Sequence, residues 1–492
     1  MNNDVSSDSN SPAITTRRKR RLIVLFLILL AHTLGALSAI DAVMKTRTSQ
    51  GAIAWAVSLV SFPYVAVPAY WVFGRSQFEG YAEASQENHT AITSLLDRIR
   101  PEMEAEFVQP NKGIPEYDAI QKLSQLGITG FNRTELLING KATFDSILEG
   151  ISKAQEYILM EFYIVRDDDI GRRIRDALIE RANNGVRVYF VYDELGSKDL
   201  SEEYIEGLRS AGIAMNPFNT TRGIRNRFQL NFRNHRKIMV VDGVSAWVGG
   251  LNIGDDYLGH DPELSPWRDT HMRVDGAAAV QVQAVFLSDW YWATRQLIDL
   301  NWRAAPATDG QGQVMIIASG PHQERETATL FFTHAINSAR QRLWITSPYF
   351  VPDEGIISAL QLAVLRGVDV RVIIPGTSDS LLMKKAANYY VEELADSGIK
   401  FYEYQDGFLH QKVMLIDNEI ATVSTANFDN RSFRLNFEIT ALVHDVEFAK
   451  EVKVMIENDL RKSKLVDTKA LKESSYWQHI PRRVARLFAP IL

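Results

Sequence analysis

"NFRNHRKIMVVDG", Asn231 to Gly243, sets a histidine and a lysine two residues apart, follows them with an apolar run and closes on aspartate and glycine. The chain repeats the pattern at Leu409 to Glu419, "LHQKVMLIDNE", again with His, one residue, Lys, four residues and Asp. His235, Lys237 and Asp242 therefore match His410, Lys412 and Asp417. The match continues downstream, where "GGLN" (Gly249 to Asn252) and "STAN" (Ser424 to Asn427) lie the same distance beyond each aspartate. Alternate side chains of a strand share a face, so His235 and Lys237 project together, as do His410 and Lys412. Asp242 and Asp417 complete the candidate catalytic set, but they sit at an odd offset and open "DG" and "DN" turns. Their first role is structural, and neither is expected to be the general acid.

Outward from these motifs the halves keep the same order. In the first, "YILMEFYIV" reads as a strand, "DIGRRIRDALIERANNG" as an amphipathic helix ending at Gly185, and "VRVYFVYD" as another strand. In the second, "LWITSPYFV", "GIISALQLAVLRG" and "VDVRVIIPG" follow suit. Strands alternating with helices of this length predict an α/β fold of two similar lobes, 117–302 and 314–492, joined by a linker at 303–313. The first half alone carries an extra segment before its histidine, with Arg222, Arg225, Arg227 and Arg233. Arginines there suit either a solvated face or the recruitment of anionic phosphate headgroups.

The 492 residues suffice for two sizeable cores. A net charge of -6 argues against a dedicated nucleic-acid binder, and Cys 0 removes thiolate metal sites and nucleophiles. A polar tail, 1–21, ends in "RRKRR" (Arg17 to Arg21). Two apolar runs follow, 22–44 and 51–73, each close to the roughly 20 residues that cross a bilayer as a helix. They predict a transmembrane hairpin over 22–73, with a charged linker at 74–116 leading to the lobes. The basic cluster outweighs Lys45 and Arg47 in the connection, which places tail and lobes together on the cytoplasmic side. Trp55, Tyr70 and Trp71 suit interfacial anchoring, His32 is expected to pack on the second helix, and Asp41 to lie near the far interface. The last segment, "YWQHIPRRVARLFAPIL", mixes aromatic, basic and apolar residues as interfacial segments do.

If the halves pack about a pseudo-twofold axis, two imidazoles, two ammonium groups and the amides of Asn252 and Asn427 converge on one spot. Such a site fits a phosphate diester: cations and amides hold the nonbridging oxygens, one neutral histidine attacks phosphorus, and the other, protonated, releases the leaving alkoxide. No metal or other cofactor is called for. Ser424 and Thr425 offer hydroxyl donors. Asp269 in "WRDTHMRV" and Glu438 in "LNFEITALV" occupy similar places and are the candidates for orienting the imidazoles. His271, two residues from Asp269, is read as structural.

The doubled motif with trailing GGxN or STxN resembles the phospholipase D superfamily. Similarity to bacterial cardiolipin synthases extends over nearly the whole chain and includes "SGP" (Ser319 to Pro321), "SPYFVPDEGI", "SDS" (Ser378 to Ser380), "NFDNRSFRLNFE" and "RVARLFAPIL". The resemblance implies metal-independent transfer of a phosphatidyl group through a phosphohistidine, turning two phosphatidylglycerols into cardiolipin and glycerol in a bacterial inner membrane. By the same analogy His235 is the nucleophile and His410 the acid, then base, though the symmetry of the motifs leaves the reverse open. Gly250 stands where many relatives carry serine, which leaves the hydroxyl contact there in question. A membrane-anchored phospholipase D-type hydrolase, with water as acceptor, shares the first half-reaction and is the alternative.

Overall fold

A computed structural model of the protein describes residues 12–74, 78, 81, 115–124, 126–219, 231–307 and 309–492. Arg222, Arg225 and Arg227 and most of the expected linker lie outside the described residues.

Strands from both halves join edge to edge in one mixed sheet. From the middle outward, the first half contributes Thr129–Ile138, Thr270–Asp275, Ser245–Gly249, Ile238–Val241, Tyr157–Phe162, Arg187–Tyr192 and Ala214–Pro217. The second contributes Gly312–Ser319, Asn436–His444, Ile420–Ser424, Val413–Ile416, Arg342–Thr346, Asp369–Pro375 and Lys400–Tyr404, so the two orders mirror each other. The strands that meet in the middle run antiparallel, with Thr129 opposite Val314, as a twofold between the halves gives.

Alternation along the buried strands feeds separate cores. In Tyr157–Phe162, Tyr157 and Leu159 face a core shared by both halves, while Ile158, Met160 and Phe162 face one built from the first half and joined by Phe408 of the second. The shared core is capped by the helices Ala277–Thr294 and Val446–Arg461. The first half's core is closed by helices such as Asp169–Asn183, which starts where Asp168 accepts a hydrogen bond from Gly171 N and buries Ile170, Ile174 and Leu178 on one face. One boundary differs from expectation. Ile120 and Ile128 are buried in the second half's private core with Met315 and Phe331, because the Pro115–Ser124 helix crosses to that side before the first central strand.

Asp242 and Asp417 leave the catalytic set. The strands Ile238–Val241 and Val413–Ile416 separate them from their lysines, about 17 Å of extended chain. Asp242 turns the chain at φ +53° and Asp417 at φ +54°, so both take up the left-handed conformation. Asp242 Oδ1 accepts from Glu156 N and Tyr157 N and its Oδ2 from Gln155 N, all at 2.8 Å. Asp417 does the same for Arg340, Gln341 and Arg342, at 2.7–3.0 Å. The motif aspartates thus clamp the far end of the His–Lys strand to the start of its neighbour.

At the amino terminus the helix Pro12–Lys45 contains a stretch, Lys19–Lys45, long and apolar enough to cross a membrane. The second apolar run is not a continuous helix. It forms Ser49–Ser61, breaks at Phe62 (φ −137°, ψ 57°), and resumes as Pro63–Ala69 with a π turn at Tyr70–Gly74. Pro63 has no N–H and sits at the first position of the new helix, which is why the break falls there. As expected, His32 meets this run, its Nε2 lying 3.3 Å from Tyr64 Oη.

We expect Asp242→Ala or Asp417→Ala to strip partners from three backbone N–H groups and lower stability by about 1–3 kcal/mol. Asn, which tolerates the left-handed turn and keeps one acceptor, should cost less than Ala in the same denaturant titration. An alanine variant as stable as the parent would refute the clamp.

Candidate active site

Two short parallel bridges stitch the halves together where the histidines begin. Arg233–Asn234 pairs with Asn436–Phe437, and Phe408–Leu409 pairs with Trp267–Arg268. The next residue in each bridge carries chemistry. His235 N donates to Phe437 O at 3.0 Å, and His410 N donates to Arg268 O at 2.8 Å. Their side chains repeat the crossing. His235 Nδ1 lies 2.9 Å from both carboxylate oxygens of Glu438, and His410 Nδ1 lies 2.7 Å from Asp269 Oδ2. Each imidazole is therefore oriented by a carboxylate from the opposite half. The carboxylates are fully buried while each histidine side chain keeps 11% of its surface exposed, so the ring edges remain reachable. With Nδ1–H given to the carboxylate, Nε2 is the nitrogen left for substrate.

The lysines lie beside the rings. Lys237 Nζ donates to His235 O at 2.6 Å, and Lys412 Nζ donates to His410 O at 2.5 Å while lying 2.9 and 3.0 Å from the two nitrogens of that imidazole. Burial dominates their protonation. It drives both histidines down to about 4 against the pull of their carboxylates, with the Lys237 and Lys412 ammonium groups adding to the fall. Burial also lowers Lys237 well below the usual lysine range and Lys412 to about 8. Burial acts in the opposite sense on Asp269 and Glu438, yet neighbouring cations outweigh it and hold both carboxyls below their ordinary range. Lys412 bears on His235 and on Lys237 as well as on its own histidine, so the groups of both halves form one electrostatic cluster. Neutral imidazoles thus stand beside two lysine nitrogens, each imidazole backed by an ionised carboxylate.

The remaining expected residues divide. Thr425 Oγ1 donates to Glu438 Oε2 at 2.6 Å and supports the orienting carboxylate. Ser424 does not reach the site: its hydroxyl pairs with Thr440 Oγ1 and accepts from Ala426 N. The first half has no hydroxyl in the Thr425 place, because a Cβ on Gly250 would come 2.1 Å from Asp269 Oδ1. Asn252 accepts from Ile164 N and donates one amide N–H to Tyr257 Oη at 2.8 Å, which fixes its amide in place and leaves its second N–H. Asn427 is buried and its Oδ1 has no hydrogen-bond partner among the described residues. His271 is fully buried against Gly249, and burial lowers it to about 3. Among the described residues no three His, Asp or Glu side chains converge as a metal-ligand group.

Sequence reasoning missed the layer behind the motif. The residue between each His and Lys points the other way, and in the first half Arg236 meets Asp289, Ser319 O and Glu438 O. Tyr81 Oη donates to Asp289 Oδ1 from the membrane-side linker. In the second half Gln411 donates to Asp459 Oδ2, which also receives Arg268. The alternation of HxK announces an inward residue; nothing local names its partners on distant helices. Two aromatic walls were also missed, Tyr163 edge-on to His235 at 5.0 Å and Trp267 at 5.1 Å from His410.

Comparison with known proteins agrees with this geometry. Residues 147–290 and 332–460 match the family model described as cardiolipin synthase, PLD-like domain, and residues 24–75 match one described as phospholipase D-nuclease N-terminal. The chain is 45% identical over 471 residues to cardiolipin synthase A of Pseudomonas fluorescens, covering 95% of this chain and 98% of that one. It is 47% identical over 468 residues to cardiolipin synthase A of Pseudomonas aeruginosa, covering 94% of each. The crystal structure of phosphatidylserine synthase from Haemophilus influenzae shares the fold at a TM-score of 0.59 and 14% identity, over 77% of this chain and 100% of that one. The two-lobed fold is thus phospholipase D-like, and the chain belongs to the cardiolipin synthase family.

Glu438→Gln should keep the ring-side contact but remove the charge that supports imidazolium at His235, lowering turnover by about 10²–10⁴-fold with little change in KM. Asp269→Asn should do the same through His410. Turnover of either variant above a tenth of the parent would contradict the crossed assignment.

Proposed function

We propose that the protein is a phosphatidyltransferase that makes cardiolipin from two molecules of phosphatidylglycerol and releases glycerol. The observation that carries this reading is the pair of carboxylate-backed imidazoles, one from each half, buried in a single electrostatic cluster with both lysines. The names of the similar proteins from Pseudomonas supply the lipid class.

The phosphodiester of the donor lipid brings an added negative charge between Lys237 and Lys412. That charge raises the affinity of the site for a proton, and His410 takes it up, supported by Asp269. His235 Nε2, neutral, attacks phosphorus. The P–O bond to glycerol breaks, His410 gives its proton to the departing oxygen, and a phosphatidyl group remains on His235. The free primary hydroxyl of a second phosphatidylglycerol's glycerol headgroup then enters, His410 removes its proton, and its oxygen displaces His235 from phosphorus. Lysine ammonium groups hold the nonbridging oxygens through both steps, where charge builds up. Partners are phosphatidylglycerol and the anionic lipids of the membrane that holds the anchor helix; nucleic acid has no place in the scheme.

Purified protein with phosphatidylglycerol in mixed micelles should release glycerol and form the four-chain lipid. Phosphatidic acid as sole product would identify a hydrolase instead. The roles of the two histidines separate with a donor whose leaving group is p-nitrophenol, which departs without a proton. On it His410→Ala should accumulate a stable phosphatidyl adduct on His235 and His235→Ala should form none; the opposite pattern reverses the assignment.

The protonation states also fix a pH window. Below about 4 the resting histidines protonate and the nucleophile is lost, so kcat/KM falls as pH drops through that value. Above about 4 kcat/KM also declines as pH rises, because resting His410 is neutral and its proton must be taken up from solvent, and the fall steepens above about 8, where Lys412 loses its proton and the hold on phosphate weakens. A profile flat from pH 4 to 10 would be incompatible with these groups carrying the reaction.

A further inference from the structure

The second apolar run turns back on itself. Leaving the connection at Thr48, the helix Ser49–Ser61 packs along the first helix as far as Gly35, where a Cβ would lie 2.4 Å from Leu59 O and 2.9 Å from Pro63 Cβ. If the run continued past that point as a second span, Tyr70 would come level with residue 24, about 25 Å along the helix from Asp41. Instead Tyr70 Oη donates to Asp41 Oδ2 at 2.8 Å, and Trp71 Nε1 donates to Ser38 Oγ at 3.1 Å. The Tyr70 ring also rests 5.3 Å from that of Trp55, near the start of the run. The chain therefore enters, bends at Phe62–Pro63 and leaves on the side where it came in. Ser49–Ser61 is 13 residues, about 20 Å of helix, and falls short of a hydrocarbon core of roughly 30 Å.

The connection at Lys45–Thr48 is fixed to the catalytic body. Arg47 Nη1 donates to Glu326 Oε1 at 2.5 Å, Glu326 Oε2 accepts from Arg434 at 3.2 Å, and Phe78 N donates to Pro321 O at 3.1 Å. The carboxy terminus gathers on the same face: Arg431, in the helix with Arg434, donates its N–H to Leu492 O at 2.7 Å. Leu487 and Phe488 just before it are exposed, as are Tyr476 and Trp477. Beyond the reach of the returning run, Leu22 to Leu30 are solvent-exposed around the whole circumference of the first helix, a surface that only acyl chains suit.

We propose that residues 49–74 form a re-entrant loop, so that the first helix alone spans the bilayer and the basic tail and catalytic lobes lie on opposite faces. Five basic residues at Arg17–Arg21 against Lys45 and Arg47 hold the tail in the cytoplasm. The lobes then lie on the outer face, and the site draws its phospholipids from the outer leaflet of the membrane, with Leu487, Phe488 and Trp477 resting on that surface. This reverses the cytoplasmic placement expected from two full spans.

The absence of native cysteine gives a direct test. Single cysteines are placed in the full-length chain at Ser9, Asp145 and Lys469, each variant is checked for the parent's melting temperature, and spheroplasts are treated with a membrane-impermeant maleimide. Asp145→Cys and Lys469→Cys should label in intact spheroplasts, and Ser9→Cys only after lysis. Labelling of all three on the same side, or of Ser9→Cys alone in intact spheroplasts, overturns the proposal. Topology is read without reference to which lipid the site consumes, so this outcome stands apart from that of the product assay.

Discussion

Each imidazole takes its backbone bridge and its carboxylate from the other half of the chain, and the remainder of the architecture serves that exchange. The parallel bridges at 233–234 with 436–437 and 408–409 with 267–268 set the register, so that the following residue on each strand meets its partner without slack. A half alone would hold a histidine with no acid and an acid with no histidine. The long sheet, antiparallel at its middle, keeps the two halves in the one relation that satisfies both pairs. The shared core behind it, capped by one helix from each half, makes that relation costly to disturb.

The electrostatics follow from placing these pairs where little water reaches. Two ammonium groups and two imidazoles exceed two carboxylates if all are charged, so burial settles the mismatch by deprotonating the histidines. In the proposed reaction a phosphodiester, with its single negative charge, reverses that choice for His410 on arrival. The site therefore becomes competent for proton transfer when its substrate is present, and the glycine at 250 and threonine at 425 show two local ways to fit the orienting carboxylate. Asp269 is short and needs the space of a missing Cβ; Glu438 is longer and is steadied by a hydroxyl.

Much of this was legible in the sequence because it is periodic or repeated. His235, Lys237, His410 and Lys412 announce themselves by duplication, and Asp269 and Glu438 by their matching places in later strands. The crossing was not legible, since identical motifs say that two halves are alike without saying which half supplies which partner. Asp242 and Asp417 keep company with the motif for a backbone reason, capping a neighbouring strand, which sequence proximity disguises as chemistry. Ser424 was misplaced because strand alternation tells which face a residue takes, not what already occupies that face. At the amino terminus hydropathy reported apolar residues correctly but could not report direction: Pro63 divides a run whose composition alone reads as a full span.

Tyr81 and Phe78 give the anchor a purpose beyond tethering. Phe78 packs against Phe232, Trp292 and Phe437, and Tyr81 grips Asp289 behind the His235 strand, so the connection from the membrane is threaded into the wall of the reaction chamber. A body stitched in this way cannot swivel freely on its stalk. On the proposed function, its aperture would keep a fixed tilt toward the headgroups, and lipids would reach it by lateral diffusion in a plane, a search in two dimensions in place of three.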